Sequence, residues 1–156
     1  QSRLAELNPS IAIETHTEWI DANNASRLIA GYDLVVFALD NPETRMVLNR
    51  ACCAAKKPFI DGGINGMCGY VTFIIPGQGA CLECVLGKEP VKSEGSIPAL
   101  GATAGIIGSM EAMLSIRYLA GLDVPKETML VLEADTMSFS HIPTSRNKMC
   151  GACGGI

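Results

Sequence analysis

Two Cys-x-x-Cys pairs limit this chain's folds more than any other feature: Cys81-Leu-Glu-Cys84 and Cys150-Gly-Ala-Cys153. One such pair supplies two soft ligands from a single tight turn, and a tetrahedral metal site needs four. Residues 85–149 lie between the pairs. An ion shared by both therefore staples the end of the chain onto its middle, and closing so long a loop stabilises the fold. Pro76-Gly77-Gln78-Gly79 precedes the first pair, and Gly151, Gly154 and Gly155 crowd the second, so each pair sits where a turn is expected. The reading is a structural four-cysteine zinc knuckle on Cys81, Cys84, Cys150 and Cys153. Iron in the same ligand set is chemically possible. Two independent redox dithiols, or disulfides, are the alternatives, but a redox pair normally opens a helix after a strand and neither pair is expected to. Four thiolates leave no open position for a substrate, so the chemistry is expected elsewhere. Gly154-Gly155 reads as part of the knuckle turn rather than as a ubiquitin-like tail.

Composition narrows the class. At 156 residues one domain, 1–156, is expected. Hydrophobic residues make up 48% and aromatics 5%, which suits an α/β core packed with aliphatic side chains. Charged residues are 18%, below the usual quarter or so, which leaves more surface than usual to face something other than water. A net charge of −4 without a Lys/Arg cluster argues against a nucleic-acid binder. The longest uncharged apolar stretch, Gly95 to Met110, contains Pro98 and is too short to span a bilayer. Seven cysteines without a basic, apolar leader point to a reducing compartment, the cytoplasm.

Along the chain, residues 2–9 read as the last turns of a helix stopped by Asn8-Pro9, and 10–16 alternate like a strand. Residues 21–32 read as a short helix ended by Gly31. The apolar run 33–40 reads as a central parallel strand covered on both faces. Residues 41–57 are then a helix, with Asn41 as cap and Pro42 in its first turn, and 58–64 the next strand. This alternation predicts a partial Rossmann-like parallel sheet with right-handed crossovers. It continues into a mixed or antiparallel sheet through a strand at 69–77 and a hairpin over 128–143 turning at Asp135-Thr136. Residues 89–101 read as a loop. Residues 101–121 form a helix apolar nearly all round, with Glu111 and Arg117 its only charges, and so are expected to be buried. Gly101, Gly105 and Gly108 on it suit either a dimer or domain contact, or plain core packing.

Among the remaining reactive side chains, Cys52 and Cys53 read as buried small residues of a helix, while Cys68 in a Gly-rich turn is open to chemistry. His16 and His141 fall near strand ends without a second ligand type beside them. Asp40 ends the most apolar strand just before a helix start. Ligands of open α/β sheets bind beyond the carboxyl ends of strands, where a carboxylate can hold Mg²⁺ and a helix N-terminus favours phosphate. The alternative is that Asp40 or Asn41 merely caps the helix. Arg45, on the first turns of that helix, is placed to reach the same crevice.

Taken together, residues 33–87, "DLVVFALDNPETRMVLNRACCAAKKPFIDGGINGMCGYVTFIIPGQGACLECVLG", resemble the second half of the MoeB/ThiF/HesA group of ubiquitin-activating-type adenylyltransferases. That group carries D-x-V-(V/I)-D-x-(T/S)-D-N-x-x-x-R, a K-P strand, G-x-x-G-x-V-T and P-G-x-G-x-C-x-x-C. "GIIGSMEAMLSIRYLAG" is similar to its later G-V-I-G-S helix, and the final C-x-x-C-G to its second zinc half. The resemblance covers nearly the whole chain. It implies an enzyme that binds MgATP and adenylylates the C-terminal glycine carboxylate of a ubiquitin-like sulfur-carrier protein, in thiamine or molybdenum-cofactor metabolism. It assigns Asp40 to metal and ATP, with Asn41 and Arg45 as neighbours in the nucleotide site, and the four cysteines to structural zinc. Strands 69–75 and 128–143 would belong to the sheet that cradles the carrier's tail, and a homodimer is implied.

The departures shape the expectation further. The family's Gly-rich G-x-G-x-x-G turn and the phosphate-binding Arg and Lys of its first half are not found, so the chain is expected to be part of a longer protein, and by itself to bind ATP weakly and catalyse little. The loop 88–100 has no transfer cysteine, only Ser93 and Ser96 near that place, and Leu39 stands where the family often has Thr or Ser. Two other readings stand beside this one. One is a non-catalytic, zinc-stapled dimerisation or protein-binding module. The other is an adenylylating relative that acts on a peptide terminus or a tRNA base.

Overall fold

The computed structural model describes residues 1–87 and 97–156. Five strands form one sheet in the order β1 (Val35–Phe37), β2 (Phe59–Asn65), β3 (Cys68–Ile74), β4 (Thr128–Glu133) and β5 (Ser138–Pro143). β1 and β2 run parallel in register Val36↔Ile60, linked by helix α3 (Pro42–Ala54). The remaining pairs are antiparallel. A parallel pair needs a crossover, which α3 supplies, whereas β2–β3 and β4–β5 need only tight turns. Gly66 makes the first of these turns in the left-handed region, at φ 59°, where only a residue without Cβ is unstrained.

Period-2 alternation along β2 assigns its two faces. Phe59 packs with Phe37, Met46, Leu48 and Leu82 on the α3 side. Ile60, one residue on, packs with Val71, Phe73 and Leu114 under helix α5 (Gly101–Leu119). Short helices α1 (Ser2–Leu7), α2 (Ala25–Ile29) and α4 (Leu82–Leu86) complete the described elements, and α2 adds Ala25 and Ile29 to the α3-side core.

Three expectations are corrected. Residues 10–16 form no strand: they are largely exposed, and none enters a ladder with another described residue. Alternation marks a chain able to enter a ladder, and without a neighbour there is no ladder to enter. β1 is shorter than the apolar run that predicts it and lies at the sheet edge, with Val36 44% exposed, because β2 is its sole partner among the described residues. Finally, α5 is not buried on every side. Thr103, Ile107, Glu111 and Leu114 face the sheet, while Met113, Ile116 and Leu119 stand about 60% exposed. A sheet covers only one side of a helix, and an all-round apolar sequence does not say which side. A Cβ added at Gly101, Gly105 or Gly108 would meet nothing within 4 Å, so none of these glycines serves core packing among the described residues. Most of the loop expected over 89–101 lies outside the described residues, as do Ser93 and Ser96.

Candidate active-site crevice and metal centre

The two cysteine pairs converge. The four sulfurs lie within 4.8 Å of one another, with Cys81–Cys150 at 3.6 Å, Cys84–Cys153 at 3.5 Å and Cys81–Cys84 at 3.9 Å. Sulfurs at about 2.3 Å from a central ion in tetrahedral array stand about 3.8 Å apart, so the cluster has the size a metal ion requires. Cys81 and Cys153 are buried, and Cys84 and Cys150 partly so. Cys81 is the N-cap of α4. One pair therefore does open a helix, against expectation, and it is the convergence of all four thiols, not helix placement, that separates a metal site from two redox dithiols.

The second pair needs its glycine. A Cβ at Gly154 would lie 2.5 Å from the carbonyl oxygens of Cys150 and Lys148. Arg146 closes the knuckle by donating to the carbonyls of Cys153, Gly154 and Ile156. Cys52 and Cys53 are fully buried, as expected, and burial pushes the Cys52 thiol up to about 12.

Toward the N-terminal end of α3 a crevice of about 770 Å³ opens past the end of β1, between α3 and α5. Its walls are mainly apolar, including Phe37, Ile64, Ile107 and Val131, and the acidic and basic side chains that line it among the described residues are Asp40, Arg45 and Glu111, with Asp61 buried behind Arg45. The β2 alternation places two neighbouring residues on opposite faces. Asp61 points to α3, where the Arg45 guanidinium donates to its carboxylate, to the Gly62 carbonyl at 3.0 Å and to the Tyr70 hydroxyl at 3.1 Å. Tyr70 in turn donates to Asp61 at 2.8 Å. Burial pushes Asp61 up to about 6, with Arg45 and Tyr70 pulling the other way. Gly62 points to α5, and a Cβ there would lie 2.7 Å from Oε1 of Glu111. Glycine at 62 is what lets this carboxyl lie on the strand. Burial, reinforced by the negative charge of Asp61, raises Glu111 to about 7, and its Oε1 has no hydrogen-bond partner among the described residues.

The residues singled out from sequence divide by role. The Asn41 side chain accepts from Thr44 N at 2.8 Å and caps α3. Asp40 is not the cap; it is exposed at the crevice mouth. Arg45 reaches the crevice but is internally engaged, and its second nitrogen donates to the Leu39 carbonyl at 2.6 Å, so it fixes the backbone immediately before Asp40. Cys68 begins β3, exposed, and lines the same crevice. His16 lies between Glu14 and Glu18, and His141 is exposed on β5; neither joins the site. Sequence reasoning missed Asp61, Tyr70 and Glu111. The signal for Asp61 was a carboxylate inside an apolar strand followed by Gly62-Gly63, since a buried charge demands a partner. Glu111 stood as the lone acid of an apolar helix.

Residues 1–152 match the model of the ThiF family. The chain belongs to the ThiF family. It is 37% identical over 158 residues to "Adenylyltransferase and sulfurtransferase MOCS3" of Drosophila willistoni, covering 96% of this chain and 35% of that protein. It is 30% identical over 152 residues to "Protein HesA, heterocyst" of Trichormus variabilis, covering 97% and 57%. This ThiF-family chain thus spans between a third and three-fifths of those relatives. A crystal structure of E. coli MccB with AMPCPP and MccA shares its fold with a TM-score of 0.84, at 19% identity over 98% of this chain and 49% of that one. The expected MoeB/ThiF/HesA membership and the mixed α/β architecture both hold. No described helix is long and apolar enough to cross a membrane.

Proposed function

We propose that this chain is the portion of an ATP-dependent adenylyltransferase that contributes the acidic crevice and the metal knuckle, and that the intact protein activates the C-terminal glycine carboxylate of a ubiquitin-like sulfur carrier. The observation that carries the reading is the placement of Asp40. It is free of the helix cap, exposed at the crevice mouth beside the N-terminus of α3, and follows a carbonyl held by Arg45. A carboxylate there is suited to hold Mg²⁺ on a nucleotide, and the helix N-terminus favours phosphate. Bound MgATP supplies the adenylyl group, with its metal offsetting charge on the phosphate oxygens. Arg45, tied to Asp61 and Leu39, keeps Asp40 in place, and the apolar walls exclude water from the acid being activated. The sulfur-carrier assignment draws on the name of the Drosophila relative, which joins adenylyltransferase to sulfurtransferase.

In this reading the ion in the knuckle is zinc and purely structural, since four thiolates fill its coordination. The protein works as a homodimer, which the exposed Met113, Ile116 and Leu119 of α5 support, and seven cysteines outside any disulfide suit the cytoplasm. Residues 1–156 alone lack a Gly-rich phosphate loop and sustain little turnover.

The test is ATP–pyrophosphate exchange by the full-length protein that contains this chain, with a carrier ending in Gly-Gly. Asp40→Ala is expected to lower exchange by about 10²-fold or more with unchanged folding. An unaltered rate would remove Asp40 from the chemistry. Exchange driven by a short peptide, and not by the carrier, would move the reading to a peptide terminus.

A further inference from the structure

Asn49 is a polar side chain with no solvent exposure, in the middle of α3 between the crevice and the knuckle. Its side-chain hydrogen bonds among the described residues all run to the knuckle side. Oδ1 accepts the backbone N–H of Leu82 at 3.0 Å, inside the first Cys-x-x-Cys turn. The same oxygen accepts the Cys53 thiol at 3.9 Å. Nδ2 lies 3.8 Å from Sγ of Cys81. Because Leu82 N–H can only donate, it fixes which end of the amide is oxygen and leaves the N–H₂ facing the sulfur. The neighbouring Arg50 pairs with Glu83 in the same turn. Thus α3 grips residues 81–83 from two adjacent positions, and of these two Asn49 is the one that touches a sulfur of the cluster.

We propose that Asn49 is an outer-sphere positioning residue of the metal centre. Its carbonyl sets the path of the first cysteine turn, and its N–H₂ donates to the Cys81 thiolate once metal is bound. A thiolate in a buried site carries negative charge that a nearby N–H dipole stabilises. Groups of this kind orient the ligands and slow metal loss, and removing one typically costs about 10–100-fold in metal affinity. The assignment rests on the metal reading of the four thiols. It goes beyond it in naming the α3 residue that holds them ready.

The experiment measures transfer of zinc from the metal-loaded protein to a chromophoric chelator under native conditions, for the wild type and for Asn49→Leu, Asn49→Asp and Leu48→Ala. Asn49→Leu, near in volume without hydrogen bonds, is expected to release zinc at least about 10-fold faster. Asn49→Asp keeps the acceptor for Leu82 N–H but turns a carboxylate oxygen toward Cys81, and is expected to release faster still. Leu48→Ala, a core truncation one residue away that faces Phe37 and Phe59 rather than the sulfurs, is expected to release at the wild-type rate. In cobalt-substituted protein the thiolate-to-metal charge-transfer band should shift in both Asn49 variants and not in Leu48→Ala. Should Asn49→Leu fail to fold, the Asn49→Asp rate and spectrum carry the test. Wild-type kinetics and spectra in Asn49→Asp, or equal acceleration in Leu48→Ala, would overturn the role of Asn49. A wild-type protein purified without stoichiometric metal would instead overturn the metal centre itself.

Discussion

Replacing Glu111 by Gln should make the protein more stable, and by an amount that grows with pH. The Glu111 carboxyl is 8% exposed, rests on Gly62, and has one oxygen without a partner among the described residues. Burial and the Asp61 charge raise it from 4.5 to about 7. The folded state therefore binds the proton more tightly than the unfolded chain. Its contribution to stability is complete below the unfolded value and is lost as pH rises through the folded one, because the carboxyl must then ionise where it is poorly solvated. From these two values, ionisation costs the folded state about 3 kcal/mol at pH 8 and about 1 kcal/mol at pH 5. Gln keeps the shape and never ionises. The difference in unfolding free energy between Glu111→Gln and wild type should thus widen by about 2 kcal/mol from pH 5 to pH 8. Urea unfolding of the metal-loaded proteins at the two pH values measures it, and titration of the thiolates cancels in the comparison. A difference that stays flat with pH, or shrinks toward pH 8, would refute the claim that Glu111 sits in a site hostile to its charge.

Two further outcomes follow from the ion pair and the knuckle. Arg45→Met should destabilise by about 3–5 kcal/mol, because it strands the Asp61 charge in the core. Adding Asp61→Asn should recover much of that loss, as denaturant midpoints will show, and a double variant no better than the single would mean that Arg45 acts through packing alone. Cys81→Ser should abolish stoichiometric zinc by elemental analysis and expose the segment after β5 to protease, whereas retained one-to-one metal would contradict the four-sulfur assignment.

Several features were legible in the linear sequence because they depend on neighbours a few residues away. Asn41-Pro42 starts a helix through its own cap geometry, and 128–143 folds back on itself around Asp135-Thr136. Each Cys-x-x-Cys supplies two ligands from one turn. The family pattern in 33–87 identified the company the chain keeps, and the family match agrees. Where an element lies in the sheet was not legible. The run 33–40 reads as a central strand by apolarity, yet it has one described neighbour and an exposed Val36. The alternation of 10–16 promises a strand and finds no partner.

The sequence by itself determined four soft ligands suited to a metal, the helix start beside Asp40 and the family, since these are written as residue types at short spacings. Only the tertiary structure decided that the four sulfurs meet, that Arg45 turns inward to Asp61 and Tyr70, that Glu111 lies over a glycine, and that Asn49 reaches Cys81. The reason is physical. These contacts join residues 16 to 69 positions apart, so they exist only after the sheet has set its strand order and register, and no local preference encodes them.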